Sequence, residues 1–166
     1  MNNNIRKMVQ TALLMALAII IPTYFGFLKV IIGPFTATIA SHVPMFLSMF
    51  LGPAAAAFVG FGSALGFQIS GMPSFVVARA AMHIIVGALG GYLLRKGVSY
   101  TKTVAITAPV HGILEGLAII PFQGFTIYNY IVVGGSIVHH SLDAIIAYAL
   151  VKALVKAGRN EFALSK

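Results

Sequence analysis

The amino-acid sequence predicts an all-α membrane protein, a six-transmembrane-helix bundle with both termini in the cytoplasm. Three observations predict it. Of the 166 residues, 59% are hydrophobic and 8% are charged, with a mean hydropathy of +0.96, which excludes a water-soluble domain. Apolar runs near the length of a membrane crossing recur at 7–24, 36–51, 53–70, 74–94, 103–122 and 132–156, broken by Pro, Gly or charge. Basic residues are one-sided: if the six runs alternate, Arg6, Lys7, Arg95, Lys96, Lys102, Lys152, Lys156 and Arg159 share a side and Lys29 falls opposite. The positive-inside rule makes the first side cytoplasmic.

The runs justify themselves in order. Arg6 and Lys7 precede an apolar stretch from Met8 to Pro22 that has the start of a signal peptide, but no small-residue cleavage site follows it, so it is read as the first span. The connection Gly26–Phe35 is apolar yet resists a helix assignment, with Gly33-Pro34 near its end, and is expected to be a folded loop. Pro44 should bend the second run. Leu51-Gly52-Pro53 is a tight turn that places Pro53 at the first position of the third helix. The loops around 23–35, 70–74 and 122–131 face outward and carry Tyr24, Phe25, Phe27, Phe125, Tyr128 and Tyr130, either as interfacial anchors or as a surface over a ligand. At roughly 20 residues per span, residues 1–166 form a single domain with no room for a second.

Small residues four apart, at Ala12/Ala16, Gly62/Gly66, Gly87/Gly91 and Gly112/Gly116, let helix backbones approach closely in lipid. Three of these pairs read as internal packing. Ala12 and Ala16 lie on a smooth face of a span with no ionisable residue beyond Arg6 and Lys7, which suits docking to another membrane protein.

Ionisable groups at membrane depth cost roughly 2.5–3.5 kcal/mol and are tolerated where they face a bundle interior or water. Arg79 and His83 lie on the fourth run, His111 and Glu115 on the fifth, and His139, His140 and Asp143 on the sixth. Pairs four apart share one helix face, so three helices each present a polar stripe. Counted at 1.5 Å per residue from the outer ends, the stripes reach depths of roughly 8 to 17 Å. That range predicts a cavity open to the outside, with His42 and Gln68 on its wall. The bland alternative is that these groups satisfy one another. Apolar residues would serve stability as well, since a buried ion pair seldom exceeds a hydrophobic replacement. An Arg fork among neutral histidines, carboxylates and aromatics suits a small, flat, partly anionic solute.

Other chemistries are weaker. His139 with Asp143 and His111 with Glu115 have helical metal-ligand spacing, but the permanent charge of Arg79 opposes a divalent cation, so no metal is expected. No His-Glu-x-x-His motif and no placed nucleophilic Ser support a hydrolase, and the chain is expected not to be an enzyme. The basic residues cluster at helix ends and set topology, so nucleic acid is not expected as a partner. Without cysteine there are no disulfides or thiolate sites. The absence of a Gly-x-x-x-x-Gly-Lys-Ser/Thr loop implies that this chain does not use ATP alone.

Several segments carry a resemblance. Ala12-x-x-x-Ala16, the run from Ile32 through Pro44-Met-Phe46, Phe75-Val-Val-Ala-Arg-Ala-Ala-Met-His83 and His111-Gly-Ile-Leu-Glu115 resemble the substrate-binding S components of energy-coupling factor transporters, most closely the niacin branch. The resemblance spans nearly the whole chain, although pockets diverge within a shared fold. It implies a multi-pass protein of a prokaryotic plasma membrane that binds a vitamin from outside. Its span-one alanines would dock onto a transmembrane scaffold subunit, and the protein would then topple inward while two ATPase subunits use ATP. It also implies that Arg79 takes the nicotinate carboxylate, that a His or Glu115 meets the ring nitrogen, and that outer aromatics such as Tyr128 stack on the ring. The alternatives are a stand-alone proton-coupled transporter relaying through His139, Asp143 and Glu115, or an S component for pantothenate or a pyrimidine- or pyridoxine-type vitamin.

Overall fold

The computed structural model describes residues 3–32 and 35–163. In chain order the elements are α1 (Asn3–Tyr24), a short 3₁₀ turn (Gly26–Leu28), β1 (Lys29–Ile32), β2 (Phe35–Thr38), α2 (Val43–Leu51) and α3 (Pro53–Ile69). They continue with α4 (Ser74–Ala81), α5 (His83–Arg95), α6 (Tyr100–Ala118), α7 (Ile120–Gln123), α8 (Ile127–Lys156) and a closing 3₁₀ turn (Asn160–Phe162). The protein is mostly helical. Among the described residues, four stretches are long and apolar enough to cross a membrane: Asn3–Tyr24, Ser74–Arg95, Tyr100–Gln123 and Ile127–Lys156. α3 is shorter at 17 residues.

The run 36–51 is not one helix. Its first part is β2, paired antiparallel with β1 in the register Lys29↔Thr38 to Ile32↔Phe35. Val30-Ile31-Ile32 and Phe35-Thr36-Ala37-Thr38 are β-branched and aromatic, and those residues favour a pleated ribbon over a helix. The expected loop is therefore largely a hairpin, and Gly33-Pro34 lies outside the described residues. α2 has 9 residues, a length of about 13 Å at the helical rise, which is too short to cross by itself. Pro44 sits in its first turn, where a missing N–H costs nothing, instead of bending its middle. Pro53 begins α3 as expected. The segment 127–131 is helix rather than loop, because Thr126 and Asn129 form a capping box that starts α8 early.

Packing follows the small residues. A Cβ on Gly66 would meet Ala18 and Ile19 of α1, one on Gly87 would meet Ala56 of α3, and one on Gly112 would meet Val133 and Ile137 of α8. These pairs are internal crossings. α2 is apolar on every side and eight of its nine residues are buried, so it occupies the centre of the bundle. Phe46, Met49, Val59, Val86 and Val151 form the core around it. At one end of the bundle Glu161 bonds Arg6 at 2.9 Å, and Lys7 and Arg95 both approach Gly52, so the two ends of the chain adjoin and the basic residues gather there. Lys29 lies by Met72.

Candidate functional site

A central α2 places the residue before it, His42, in the middle of the bundle. Asp143 on α8 fixes that corner, because its carboxylate accepts the backbone N–H of Ala40 (2.8 Å), the backbone N–H of His42 (2.9 Å) and the Nδ1–H of His42 (3.0 Å). Ala40 has φ of 68°, a conformation unfavourable for a residue with Cβ, and the bond from Asp143 helps to hold it. The Nε2 of His139 lies 3.2 Å from the same carboxylate and 3.1 Å from the Thr38 carbonyl. The His42 ring centroid is 4.5 Å from His83, 4.8 Å from His111 and 4.4 Å from His139.

Arg79, near the end of α4, donates from Nε (3.1 Å) and Nη2 (2.8 Å) to one oxygen of Glu115 on α6, and Nη2 reaches the Thr36 carbonyl at 3.3 Å. Ser136 donates to that same Glu115 oxygen. The other oxygen, Oε1, lies 3.3 Å from His111 Nε2 and 3.8 Å from His83 Nε2. The Phe35 ring lies against the guanidinium, 5.1 Å from Cζ. The break at Met82 turns His83 toward His42, and their Nε2 atoms are 2.9 Å apart. α3 is close enough for this because Gly60 lies against the His83 backbone, while Ser63, one turn on, bonds His83 Nδ1 at 2.9 Å.

Between these groups lies a cavity of about 20 Å³, lined among others by Thr36, Thr38, Ser41, Phe67, Arg79 and Glu115. Four polar atoms on that lining are buried without a hydrogen-bond partner: the hydroxyls of Thr36, Thr38 and Ser41, and Nη1 of Arg79. Buried donors are nearly always paired, so four on one small space can together hold a polar guest. The sequence predicted a cavity open to the outside. In the structure β2 lies across it, and the remaining space is about that of one water.

The structure brings together seven of the sequence-predicted residues: His42, Arg79, His83, His111, Glu115, His139 and Asp143. It does not bring Gln68 or Tyr128 to them. Gln68 is exposed near the end of α3, and Tyr128 is 47% exposed in the first turn of α8. The reason is helical phase: Phe67, one residue earlier, takes the inward position, and the early start of α8 carries Tyr128 onto the outer surface. Ala12 and Ala16 are exposed on α1, whose buried face is Leu14, Ala18 and Pro22. Sequence reasoning missed Thr36 and Thr38, whose polar alternation fell inside a run read as helix, and it missed Ser41, Ser63 and Ser136, which carried no signal.

A small polar cavity lined by buried charged groups inside an apolar helical bundle is the arrangement of a membrane protein that handles a polar solute. No family model matches the chain. It is 32% identical over 170 residues to the niacin transporter NiaX of Lactococcus lactis subsp. cremoris, covering 92% of this chain and 76% of that protein. Its fold is similar to the solved structure of ThiT from Listeria monocytogenes, with a TM-score of 0.65 at 17% identity over 97% of this chain and 99% of that one. The chain belongs to the S components of energy-coupling factor transporters, a family of membrane proteins for vitamin uptake, and it is not an enzyme.

Proposed function

We propose that this chain is the niacin-binding S component of an energy-coupling factor importer, capturing nicotinate from outside the cell as a single domain. The observation that carries the reading is the unpartnered set on one buried cavity, Arg79 Nη1 with the hydroxyls of Thr36, Thr38 and Ser41. A carboxylate accepts hydrogen bonds from all four donors at once. The ring nitrogen then meets His83, His111 or Glu115. Phe67, on the cavity lining, takes the stacking role that the sequence gave to Tyr128. A pyridine carboxylate exceeds the present space, so entry displaces β2. The name of the 32% identical relative supports niacin over other vitamins.

Six membrane-embedded segments, counting α2 and α3, put both termini in the cytoplasm of a prokaryotic plasma membrane, with the basic end inward. Exposed Ala12 and Ala16 dock onto the transmembrane scaffold subunit, and the partner ATPases supply the energy. The test uses the purified chain. It should bind pyridine-3-carboxylate, seen by native mass spectrometry and titration, yet fail to accumulate it in vesicles. Ala16→Leu should bind normally and lose uptake when the partner subunits are present. Accumulation by this chain alone under a proton gradient would instead establish a secondary transporter relaying through His139, Asp143 and Glu115.

A further inference from the structure

Among the described residues, the largest set of possible metal ligands has more members than one ring nitrogen can use. His42, His83, His111 and Glu115 are all buried, and one ligand atom from each lies within 4.8 Å of the other three. Three of its six separations are 2.9 Å from His42 Nε2 to His83 Nε2, 3.3 Å from His111 Nε2 to Glu115 Oε1, and 3.8 Å from His83 Nε2 to Oε1. Ligands around a tetrahedral zinc ion, at bonds of about 2.0–2.1 Å, stand about 3.3 Å apart. These three distances bracket that value, and the other three separations are no longer than 4.8 Å.

The surroundings are those of a metal centre. Ligating imidazoles usually have the second ring nitrogen held by a carboxylate or another oxygen, which fixes the tautomer and orientation. Asp143 holds His42 Nδ1 at 3.0 Å and Ser63 holds His83 Nδ1 at 2.9 Å. An ionised carboxylate only accepts, so His42 carries its proton on Nδ1 and presents the lone pair of Nε2 inward. Protons alone satisfy the chain Asp143, His42, His83 and Ser63. They leave His111, 0% exposed, with Nδ1 unpartnered and with Nε2 near Glu115 Oε1 at 3.3 Å but outside hydrogen-bond geometry. A cation at the centre of the four groups gives His111 Nε2 a partner and replaces the proton between His42 and His83.

The permanent charge of Arg79 argued from sequence against a cation. In the structure Nε and Nη2 of the guanidinium bond Glu115 Oε2, shared with Ser136, while Oε1 faces the imidazoles. With neutral histidines, Arg79, Glu115 and Asp143 leave one net negative charge in an interior that penalises it. A divalent ion reverses the sign, and a solute carboxylate beside it then brings the site to neutrality, a consequence that rests on the anionic solute proposed above.

We propose that His42, His83, His111 and Glu115 bind one divalent transition metal ion of the zinc type on the wall of the solute cavity, so that with the ion bound these side chains no longer meet the solute's ring nitrogen themselves. Three imidazoles and one carboxylate suit zinc, nickel or cobalt rather than calcium or magnesium. The full chain, purified and stripped with chelator, is titrated with zinc chloride in the absence of solute, and cobalt(II) is used as a visible probe of geometry. Expected are one zinc per chain by elemental analysis and a strong four-coordinate cobalt absorption. Zinc affinity should fall at least about 100-fold in His111→Ala and about tenfold in Ser63→Ala, which removes only the group behind His83. Thermal melting checks that each variant is folded, and the parent's cobalt spectrum decides where one is not. A parent that binds no zinc, a weak six-coordinate cobalt spectrum, or parent-like affinity in folded His111→Ala overturns the proposal. Pyridine-3-carboxylate binding by the stripped protein is measured separately, so loss of the metal proposal leaves the solute reading standing.

Discussion

Gly60→Ala tests whether the site depends on the close approach of α3 to α5. A Cβ there would stand 2.5 Å from the carbonyl carbon and oxygen of His83 and 2.6 Å from the Ile84 nitrogen. All three are backbone atoms, so no side-chain rotation relieves the clash. Carbon contacts settle near 3.5 Å, so the helices must part by about 1 Å. Overpacking of this kind costs about 1–3 kcal/mol, and a clash with unyielding backbone belongs at the upper end. Alanine returns about 1 kcal/mol of helix propensity over glycine, leaving a net loss of about 1–2 kcal/mol. Gly134→Ala is the control, since nothing lies within 4 Å of its Cβ, and it should gain about 1 kcal/mol. The measurement is thermal unfolding in one detergent, with pyridine-3-carboxylate titration beside it. Moving His83 by about 1 Å also breaks its 2.9 Å contact with His42, so the affinity of Gly60→Ala should fall while that of Gly134→Ala holds. If both variants melt and bind alike, the α3–α5 crossing does not position the site.

The remaining predictions concern a charge inside the membrane and one outside it. Arg79→Lys keeps the charge but loses the planar fork, so affinity for the acid should fall by about 1.5–3 kcal/mol, while the amide analogue should bind the parent poorly and the variant with little further loss. Equal binding of acid and amide by the parent, measured by titration, would show that Arg79 serves only Glu115. Burial pushes the Glu161 carboxyl up, but its own backbone N–H, Gln10, Arg159 and Arg6 more than offset this and hold it below the ordinary glutamate range. A carboxyl depressed in the folded state stabilises at pH above its unfolded value, and that contribution is lost as pH falls through the folded one. Proteolysis of the closing turn should therefore speed up on acidification below the glutamate range, and Glu161→Gln should abolish that dependence.

The membrane class, the one-sided basic charge, and the stripes Arg79/His83, His111/Glu115 and His139/Asp143 were all fixed by local pattern, since hydropathy and the helical period are properties of consecutive residues. The internal crossings at Gly62/Gly66, Gly87/Gly91 and Gly112/Gly116 were legible for the same reason: small residues four apart admit a neighbouring backbone wherever it comes from. Tertiary structure decided the rest. Whether 36–51 was helix or hairpin depended on β1 supplying a partner strand, which composition does not reveal. That hairpin changed the site, because it brought Thr36, Thr38 and Ser41 over the cavity and made His42 its centre instead of part of a wall. The assignment of Arg79 to one Glu115 oxygen, with the other facing three imidazoles, required α4, α5 and α6 to meet. No spacing within a single helix encodes that meeting, because it is set by how far apart glycine allows the helix backbones to stand.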